Sequence, residues 1–345
     1  MLAVVKEGPG PGFALRDLPI PKLLPGTVLV KVGAVGICGS DIPIFNGIRQ
    51  VPYPLVPGHE FAGEIADIAD DVSGWEIGER VAVGLVIGCG HCPMCRRGDE
   101  NLCAELREIG IHIDGAYAEY VRVPIRCLHR IPDSMSYADG ATVDPLASAY
   151  RGIRRMSPQP SDHVVIFGPG PIGLYALQAV RVSGVASVTV VGQHPGPRMD
   201  AAHSLGADLV VNSSLQDLTS AIANITGGSM ASLVVEATGK PNVFEQLLSI
   251  CAKDARVLIL GIFHEDACFT PATLVRGELR VEGSFCYNWT DFEMSLGLIK
   301  RGLVSNHELI THILPLDQIG QALEIINCQE AIKVILQPTM SGRLQ

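Results

Sequence analysis

Hydrophobic residues in the first 145 positions recur in short runs separated by glycine and proline. Four of these runs alternate apolar and polar positions and are rich in valine and isoleucine: TVLVKVGAVGI (27–37), FAGEIADIA (61–69), RVAVGLVI (80–87) and AYAEYVRVP (116–124). A period of two, bounded by turn residues, is typical of half-buried strands. The pattern therefore predicts an irregular β-rich domain in this part of the chain.

Near residue 161 the pattern changes to an alternation of strand-like and helical runs. Helical stretches such as LYALQAVRVSG and PRMDAAHSLG separate the apolar runs HVVIF, VTVV, LVVEAT and RVLILGI. This alternation is typical of a parallel sheet with crossover helices. A later helical stretch, DFEMSLGLIKRG, and a closing strand, IKVILQP, are assigned to the first domain. The predicted class is α/β, with a β-rich domain and a doubly wound parallel sheet.

The composition restricts the possible partners. Of 345 residues, 47% are hydrophobic and 18% are charged, and the formal net charge is -10. An acidic chain without a basic cluster repels nucleic acid and anionic membranes. No apolar run reaches the roughly 18 residues of a membrane span, and the first residues do not resemble a secretion signal. We expect a cytoplasmic protein whose partners are small molecules and copies of itself, not nucleic acid or membrane.

Four of the ten cysteines lie in the segment GCGHCPMCRRGDENLC, residues 88–103. Their spacing, C-x2-C-x2-C-x7-C, matches neither of the common ferredoxin patterns, and a reducing compartment disfavours disulfides. Four thiolates complete a tetrahedral zinc site and leave no open position for a substrate. We predict a structural zinc held by Cys89, Cys92, Cys95 and Cys103. Five other cysteines are interpreted as small core residues: Cys127, Cys251, Cys268, Cys286 and Cys328.

A glycine-rich turn follows the first strand of the second domain. In HVVIFGPGPIGLYALQAV, the residues Gly168, Gly170 and Gly173 form G-x-G-x-x-G between a strand and a helix, with Pro171 and Ile172 in the same turn. Such glycines allow a pyrophosphate to approach the N-terminus of the helix, where unpaired N–H groups favour an anion. The segment predicts a dinucleotide cofactor.

Further motifs flank the cysteine cluster and the glycine-rich turn: GICGSD (36–41), PGHEFAGE (57–64), DGAYAEY (114–120) and VVEATG (234–239). In this order and spacing the motifs resemble those of the zinc-dependent medium-chain alcohol dehydrogenase family, close to its polyol and threonine dehydrogenase branches. The resemblance covers essentially the whole chain. It implies two zinc ions per chain, one catalytic and one structural, and a homodimer or homotetramer.

The resemblance also implies the domain organisation. A GroES-like, β-rich catalytic domain would comprise residues 1–147 and 286–345, and a Rossmann domain would comprise residues 148–285. Both zinc sites would lie in the GroES-like domain.

The resemblance makes Cys38 and His59 ligands of the catalytic zinc, and thiolate and imidazole both suit that metal. Asp41 would accept a hydrogen bond from the ring of His59, and Glu60 would be a transient ligand. The third ligand would be Asp144, in VDPLASAY, where polyol dehydrogenases of the family usually have glutamate. The alternative for Asp144 is an N-cap of the helix that follows.

The resemblance implies that the hydroxyl of Ser40 takes the proton of the alcohol. The family's usual relay ends at a histidine, but Pro43 stands at that position and cannot carry a proton. The proton must leave through water or another group. His112, in GIHIDG, is a candidate substitute or substrate contact, and the alternative is a surface histidine.

The resemblance implies NAD(P) as the cofactor, and the residues below favour NADP. NAD-preferring members place aspartate at the end of the second Rossmann strand, where this chain has Gly192. The missing carboxylate removes both a ribose partner and the charge that would repel a 2′-phosphate. Gln193 and His194 can donate to a phosphate, and Arg198 is close in sequence.

The predicted function is oxidation of a secondary hydroxyl of a polyol, sugar or sugar acid by NAD(P). An L-threonine 3-dehydrogenase-like enzyme is the alternative within the family, although its members usually carry threonine and histidine where this chain has Ser40 and Pro43. A zinc-stabilised nucleotide-binding protein without catalysis is the alternative of another class. Intact Cys38, His59 and Glu60 count against it.

Overall fold

The computed structural model describes residues 1–338, which contacts within the chain divide into two compact units. The first unit contains residues 1–144, 287–300 and 310–338. The second contains residues 145–286 and 301–309. The domain limits expected from the sequence stay a prediction, and the structure groups residues 301–309 with the second unit.

Short strands dominate the first 141 residues. Their elements are β1 (Leu2–Val5), β2 (Ala14–Asp17), β3 (Thr27–Gly36), α1 (Asp41–Phe45), β4 (Glu60–Ile68), β5 (Arg80–Val83), β6 (Val86–Ile87), α2 (Pro93–Arg96), β7 (Arg107–Glu108), β8 (Tyr120–Pro124), β9 (Leu128–Arg130) and α3 (Tyr137–Ala141).

Strand β3 is the centre of the main sheet of the first unit. It pairs antiparallel with both β4 and β8, and β4 continues through β5 to β9. Valine and isoleucine side chains of these strands form one buried core. The predicted β-rich domain is therefore confirmed.

Two of the predicted strands differ in extent from the observed ones. The run at 80–87 divides into β5 and β6 at Gly84. The run at 116–124 is a strand only from Tyr120, because the N–H groups of Ala116 and Tyr117 donate to the carbonyls of Gly58 and Pro57. These loop contacts replace ladder contacts that periodicity alone predicts.

The second unit alternates strands with helices. Its elements are α4 (Val143–Met156), which begins in the first unit, β10 (His163–Phe167), α5 (Pro171–Val182), β11 (Ser187–Gly192), α6 (Pro197–Ser204), β12 (Leu209–Asn212), α7 (Leu218–Ile225), β13 (Ala231–Glu236), α8 (Phe244–Ser249), β14 (Cys251–Ile259), α9 (Pro271–Gly277) and β15 (Arg280–Gly283).

All strand pairs of the second unit are parallel, in the order β12-β11-β10-β13-β14-β15. This order, with the first strand in the middle, is that of a Rossmann fold. Strands β10 and β11 are buried along nearly their whole length, as expected of a sheet covered on both faces. The predicted doubly wound sheet is confirmed.

The last elements are α10 (Trp289–Lys300), β16 (Ile310–Pro315), α11 (Ile319–Asn327) and β17 (Lys333–Gln337). Strand β17 pairs parallel with β16 and antiparallel with β3, so it completes the sheet of the first unit. The segment after α10 is bonded to α5, because Tyr175 donates to Asn306 at 2.8 Å and Gln178 donates to the carbonyl of Ser305 at 3.1 Å.

The interpretation of five cysteines as core residues was wrong in part. Cys127 is buried, Cys251 and Cys286 are half-buried, and Cys268 and Cys328 are exposed. Among the helices in residues 1–338, none has the length and apolarity to cross a bilayer.

Candidate metal and nucleotide sites

The segment around α2 brings four sulfur atoms together. The Sγ atoms of Cys89, Cys92, Cys95 and Cys103 all lie within 4.8 Å of one another, and none of these cysteines forms a disulfide. The backbone N–H of Cys95 donates to Cys92 and is the main cause that lowers the pKa of the Cys92 thiol to about 7. Burial raises the pKa of Cys95 to about 12. Four sulfur atoms lie close together, and backbone N–H groups donate hydrogen bonds to some of them. This arrangement fits a tetrahedral zinc ion.

A second cluster joins the end of β3 to the start of β4. Ligand atoms of Cys38, His59 and Glu60 lie within 4.8 Å of one another, and the side chains of His59 and Glu60 are almost completely buried. Gly36 of β3 is the register partner of Glu60 on β4, so the strand pairing places Cys38 beside His59 and Glu60. Residues 21 positions apart thereby meet in one site.

Asp41 lies beneath this cluster and is fully buried. One carboxylate oxygen accepts hydrogen bonds from the Cys38 N–H at 2.9 Å and from the Tyr117 hydroxyl at 2.6 Å. The other oxygen is 3.6 Å from Nδ1 of His59, and within residues 1–338 neither of these two atoms has a hydrogen bond. The predicted orienting contact is thus a close approach, longer than a hydrogen bond.

The electrostatics of the cluster suit a cation. Burial by itself lowers the pKa of His59, but the charges of Asp41 and Cys38 outweigh it and raise that pKa well above its usual range. The same negative field attracts a metal ion. The donor set, one thiol, one imidazole and a carboxylate, suits zinc.

Asp144 is buried near this cluster but is not part of it. Its carboxylate accepts a short hydrogen bond from the hydroxyl of Tyr287, which in turn accepts from the Leu85 N–H at 3.0 Å. Burial is the main cause that raises the pKa of Asp144 to about 7, and the charge of Glu60 adds to it. Within the described residues the three-ligand cluster contains Glu60 and not Asp144. Ligation by Asp144 stays a prediction.

Lys333 is a site residue that the sequence reasoning missed. Its ammonium group donates to Glu60 at 2.5 Å and to the carbonyl of Ile37 at 2.9 Å, and its side chain is only 2% exposed. Burial alone would lower the pKa of Lys333, but the charges of Glu60 and Cys38 outweigh this and raise it. The signal available in the sequence is a lysine inside the apolar run IKVILQP.

Two buried tyrosines were also missed, Tyr117 on Asp41 and Tyr287 on Asp144. Each tyrosine lies far along the chain from the carboxylate that it contacts, so no local sequence pattern predicts the contact. The pKa of Tyr117 is raised well above its usual range, first by burial and then by the charge of Asp41. Both tyrosines therefore act as hydrogen-bond donors to the carboxylates.

The residues considered for proton transfer lie on loops and on α1. Ser40 is half-buried and directly precedes α1, and Pro43 lies within α1. The side chain of His112 is 43% exposed, accepts a hydrogen bond from the Glu108 N–H and lies 3.6 Å from the Glu108 carboxylate. The structure thus pairs His112 with Glu108, and no described metal cluster includes it.

The glycine-rich turn has the backbone that its sequence predicts. Gly168 has a φ of +101°, a region that favours glycine, and a Cβ on Gly173 would collide with the carbonyl oxygen of Gly168. Gly170 precedes α5, Pro171 and Ile172 begin that helix, and a Cβ on Gly170 would meet no atom within 4 Å. The open space lies at the helix N-terminus, so the turn fits a pyrophosphate.

The residues predicted to select the cofactor follow at the end of β11. Gly192 is the last residue of that strand, and Gln193 and His194 come directly after it, half-buried and exposed respectively. Arg198 is the second residue of α6 and is half-buried, and burial lowers its pKa. These positions place donors, and no carboxylate, at the end of β11.

Comparison with known families assigns both units. Residues 24–133 match the alcohol dehydrogenase GroES-like domain, and residues 171–301 match the zinc-binding dehydrogenase family. A sorbitol dehydrogenase from Halalkalibacterium halodurans is 32% identical over 98% of this chain and 99% of its own length.

Two solved structures have the same fold along nearly their whole length. An Escherichia coli alcohol dehydrogenase complexed with NADH has a TM-score of 0.91 at 30% identity, with coverage of 98% of this chain and 99% of its own. A zinc-binding dehydrogenase from Sinorhizobium meliloti bound to NADP has a TM-score of 0.91 at 31% identity, with the same coverage. The chain therefore belongs to the zinc-dependent medium-chain alcohol dehydrogenase family and is an alcohol dehydrogenase.

Proposed function

We propose that this enzyme oxidises a secondary hydroxyl of a polyol, sugar or sugar acid and transfers the hydride to NAD(P), with NADP preferred. The observation that carries the proposal is the buried group of Cys38, His59 and Glu60, with Asp144 nearby, in a chain that also has a Rossmann turn. The related sorbitol dehydrogenase supports the substrate class.

The chain's own residues supply the metal site and the path of the proton. A zinc ion bound there would act as a Lewis acid and lower the pKa of an alcohol oxygen. Cys38 and His59 would hold the metal, and Asp41 with Tyr117 fixes the loop that carries Cys38 through the hydrogen bonds at 2.9 and 2.6 Å. The Ser40 hydroxyl accepts the alcohol proton, and because position 43 is proline, the proton passes from Ser40 to water.

Two carboxylates serve the same metal in this proposal. Asp144 would be the third ligand, and Glu60 would be a transient ligand. Each carboxylate has an alternative partner in the protein, since Tyr287 donates to Asp144 and Lys333 donates to Glu60. Because of these partners, neither carboxylate is an unpaired buried charge when it does not contact a metal.

The cofactor preference follows from the end of β11. Gly192 leaves no carboxylate to repel a 2′-phosphate, and Gln193, His194 and Arg198 offer donors. Relatives of the same fold bind NADH in one case and NADP in another, so the fold itself permits both. A kcat/KM for NADP above that for NAD is expected, and a preference for NAD greater than about tenfold would contradict it.

The threonine dehydrogenase alternative has less support. It requires threonine and histidine where this chain has Ser40 and Pro43. A binding protein without catalysis is also disfavoured, because the ligand-type side chains of Cys38, His59 and Glu60 converge in a buried cluster.

We also propose that the enzyme is a homodimer or homotetramer. Strand β15 lies at one end of the sheet of the second unit, and all four of its residues are exposed. An open strand edge is a template for pairing with a second copy. Light scattering after gel filtration should give two or four times the mass of one chain, and a monomer would contradict the proposal.

The function is tested by metal content together with activity. Elemental analysis should find two zinc ions per chain, and one polyol or sugar acid in a panel that includes threonine should reduce NADP. The variant Asp144→Ala should lose one zinc and its activity, while Asp139→Ala, at a half-buried position in the first turn of α3, should lose neither. Two zinc ions in Asp144→Ala would contradict its role as ligand.

A further inference from the structure

The first unit contains a cavity of about 370 Å³ whose wall includes Cys95 of the four-cysteine group. Its wall includes His129 of β9, Trp289 and Phe292 of α10, and Gly84 after β5. None of Cys38, His59 and Glu60 is among its lining residues. The volume is within the range of small-molecule sites.

A contact with Glu293 fixes the orientation of the His129 ring in the cavity wall. Its Nδ1 lies 2.5 Å from a carboxylate oxygen of Glu293, and the imidazole side chain is only 2% exposed. The hydrogen bond with His129 is the main cause that lowers the pKa of Glu293, so this carboxylate is the acceptor. Because the carboxylate can only accept, Nδ1 donates in this bond and Nε2 is left to contact a ligand. Nε2 faces Gly84 in the cavity wall, 3.7 Å from where a Cβ on Gly84 would stand.

Flat apolar surfaces border the same space. The His129 ring stacks on Phe292 with centroids 4.2 Å apart, and Trp289 lies 5.3 Å from it at 32°. Trp289 is 53% exposed although it is a large aromatic residue. Gly84, Gly88 and Gly90 leave other parts of the wall without side chains. A planar ring is the shape that such walls accept.

Opposite charges also reach the cavity. Arg126 lines it, is exposed, and forms no salt bridge in the part of the chain that the structure describes. Glu100 lines it as well, and its Oε2 is buried without a hydrogen-bond partner among residues 1–338. A buried carboxylate oxygen that lacks a donor is energetically costly. The cavity therefore offers a cation for a carboxylate and an acceptor for an amine.

We propose that this cavity is a second ligand site, separate from the group of Cys38, His59 and Glu60, for an aromatic amino acid with a hydroxyl on its ring. The ring lies against Trp289 and Phe292, and its hydroxyl forms a hydrogen bond with Nε2 of His129. The carboxylate pairs with Arg126 and the ammonium with Glu100. The proposal does not rest on the substrate or the cofactor of the enzyme.

Calorimetric titration of the zinc-containing enzyme with L-tyrosine tests the proposal. We expect one molecule per chain, with a Kd of about 1 mM or below. Phenylalanine lacks the hydroxyl, tyramine the carboxylate, and 3-(4-hydroxyphenyl)propionate the amine. Each should bind roughly tenfold more weakly, because each loses one hydrogen bond or ion pair.

Two variants connect binding to the cavity. A Cβ on Gly84 would lie 3.6–3.8 Å from Tyr287, His129 and Phe292, in ordinary contact, so Gly84→Ala should fold normally but obstruct the ring. It should weaken tyrosine binding at least about tenfold. Gly297→Ala on α10, where a Cβ meets nothing within 4 Å, should leave binding unchanged. Arg126→Gln should weaken tyrosine but not tyramine.

Several results would overturn the proposal. One is the absence of saturable binding of both tyrosine and tyramine up to the solubility limit of tyrosine. A second is equal tyrosine affinity in Gly84→Ala and the wild type. A third is displacement of tyrosine by the alcohol substrate in direct competition, because that would place the ligand at the metal. Metal content and NADP reduction are read separately, so failure here leaves the proposed oxidation unaffected.

Discussion

At the scale of single residues, the candidate metal site is a set of buried charges that compensate one another. Glu60, Asp41 and Lys333 are each at most 2% exposed, and each contacts another polar group of the site. Charged groups are rarely buried to this extent without a partner. Lys333 therefore balances negative charge that the protein needs for binding a cation.

Removal of the Lys333 charge should destabilise the fold. In Lys333→Met, Glu60 would remain buried without its ion pair, and such a loss typically costs about 3–5 kcal/mol of the free energy of unfolding. Lys333→Arg keeps the charge and should cost less. Denaturant unfolding measures both, with Lys31→Met on the exposed side of β3 as the control. A difference below about 1 kcal/mol for Lys333→Met would show that the pair is not needed.

At the scale of elements, two glycines of the turn between β10 and α5 differ in whether the structure leaves space for a side chain. Gly173 packs against the carbonyl of Gly168, whereas Gly170 faces open space. The two glycines belong to one motif, yet they have different physical reasons to be glycine. One is needed for the fold of the turn, and the other leaves room for the ligand.

Alanine at these two positions should therefore have different effects. Gly173→Ala should lower the melting temperature and weaken NADP binding, because the added Cβ collides with Gly168. Gly170→Ala should weaken NADP binding, because its Cβ occupies the space of the pyrophosphate, and should leave the melting temperature unchanged. Thermal unfolding and cofactor titration separate the two, and equal melting temperatures for both variants would contradict this assignment.

A second element-scale feature joins the end of α4 to the sheet of the second unit. Asp162 accepts from the N–H of Gln159 at 2.6 Å, from Ser232 at 2.7 Å and from Arg256 at 2.5 Å. Burial by itself raises the pKa of Asp162, but these hydrogen bonds outweigh it and lower the pKa. Arg256 also donates to the carbonyl of Met156, at the end of α4.

This network should make stability depend on pH. A carboxyl group with a lowered pKa in the folded state stabilises the protein above the pKa of the unfolded state, and this stabilisation is lost as the pH falls through the folded value. Asp162→Asn should thus cost about 1–3 kcal/mol at pH 7, and the difference from the wild type should shrink below about pH 4. Unfolding curves at several pH values measure it, and a difference independent of pH would be the contrary result.

At the scale of the whole molecule, the two groups of candidate metal ligands would perform different tasks in the proposed enzyme. The cysteine loop has four sulfurs and leaves no open position, whereas the group of Cys38, His59 and Glu60 leaves room for an exogenous ligand. The loop that carries the four cysteines contains little regular secondary structure, and its helix α2 is only four residues long. Metal binding is therefore expected to supply most of the stability of the loop.

The variant Cys103→Ser should lose one of the two expected zinc ions and lower the melting temperature. The remaining zinc should still be bound at the catalytic group, so elemental analysis should fall from two to one per chain. Cys328→Ser, an exposed cysteine, is the matched control and should change neither quantity. A zinc content of two in Cys103→Ser would contradict the structural assignment.

Sequence periodicity determined the β-rich first domain, the Rossmann sheet and the turn at Gly168, because each rests on local patterns. The clustering of the four cysteines is also local, since they lie within 15 residues. Chemical identity and resemblance pointed to Cys38, His59 and Asp144, but not to their relative positions.

Only the tertiary structure decided which distant residues meet. The pairing of β3 with β4 brings Cys38 to Glu60, and the closing strand β17 carries Lys333 to the same carboxylate from 273 residues away. Likewise, α10 carries Glu293 to His129, and Tyr287 just before it reaches Asp144. Such contacts depend on strand order and helix packing, which a one-dimensional pattern does not encode. The sequence by itself therefore identified the chemistry, and the fold determined which groups balance its charges.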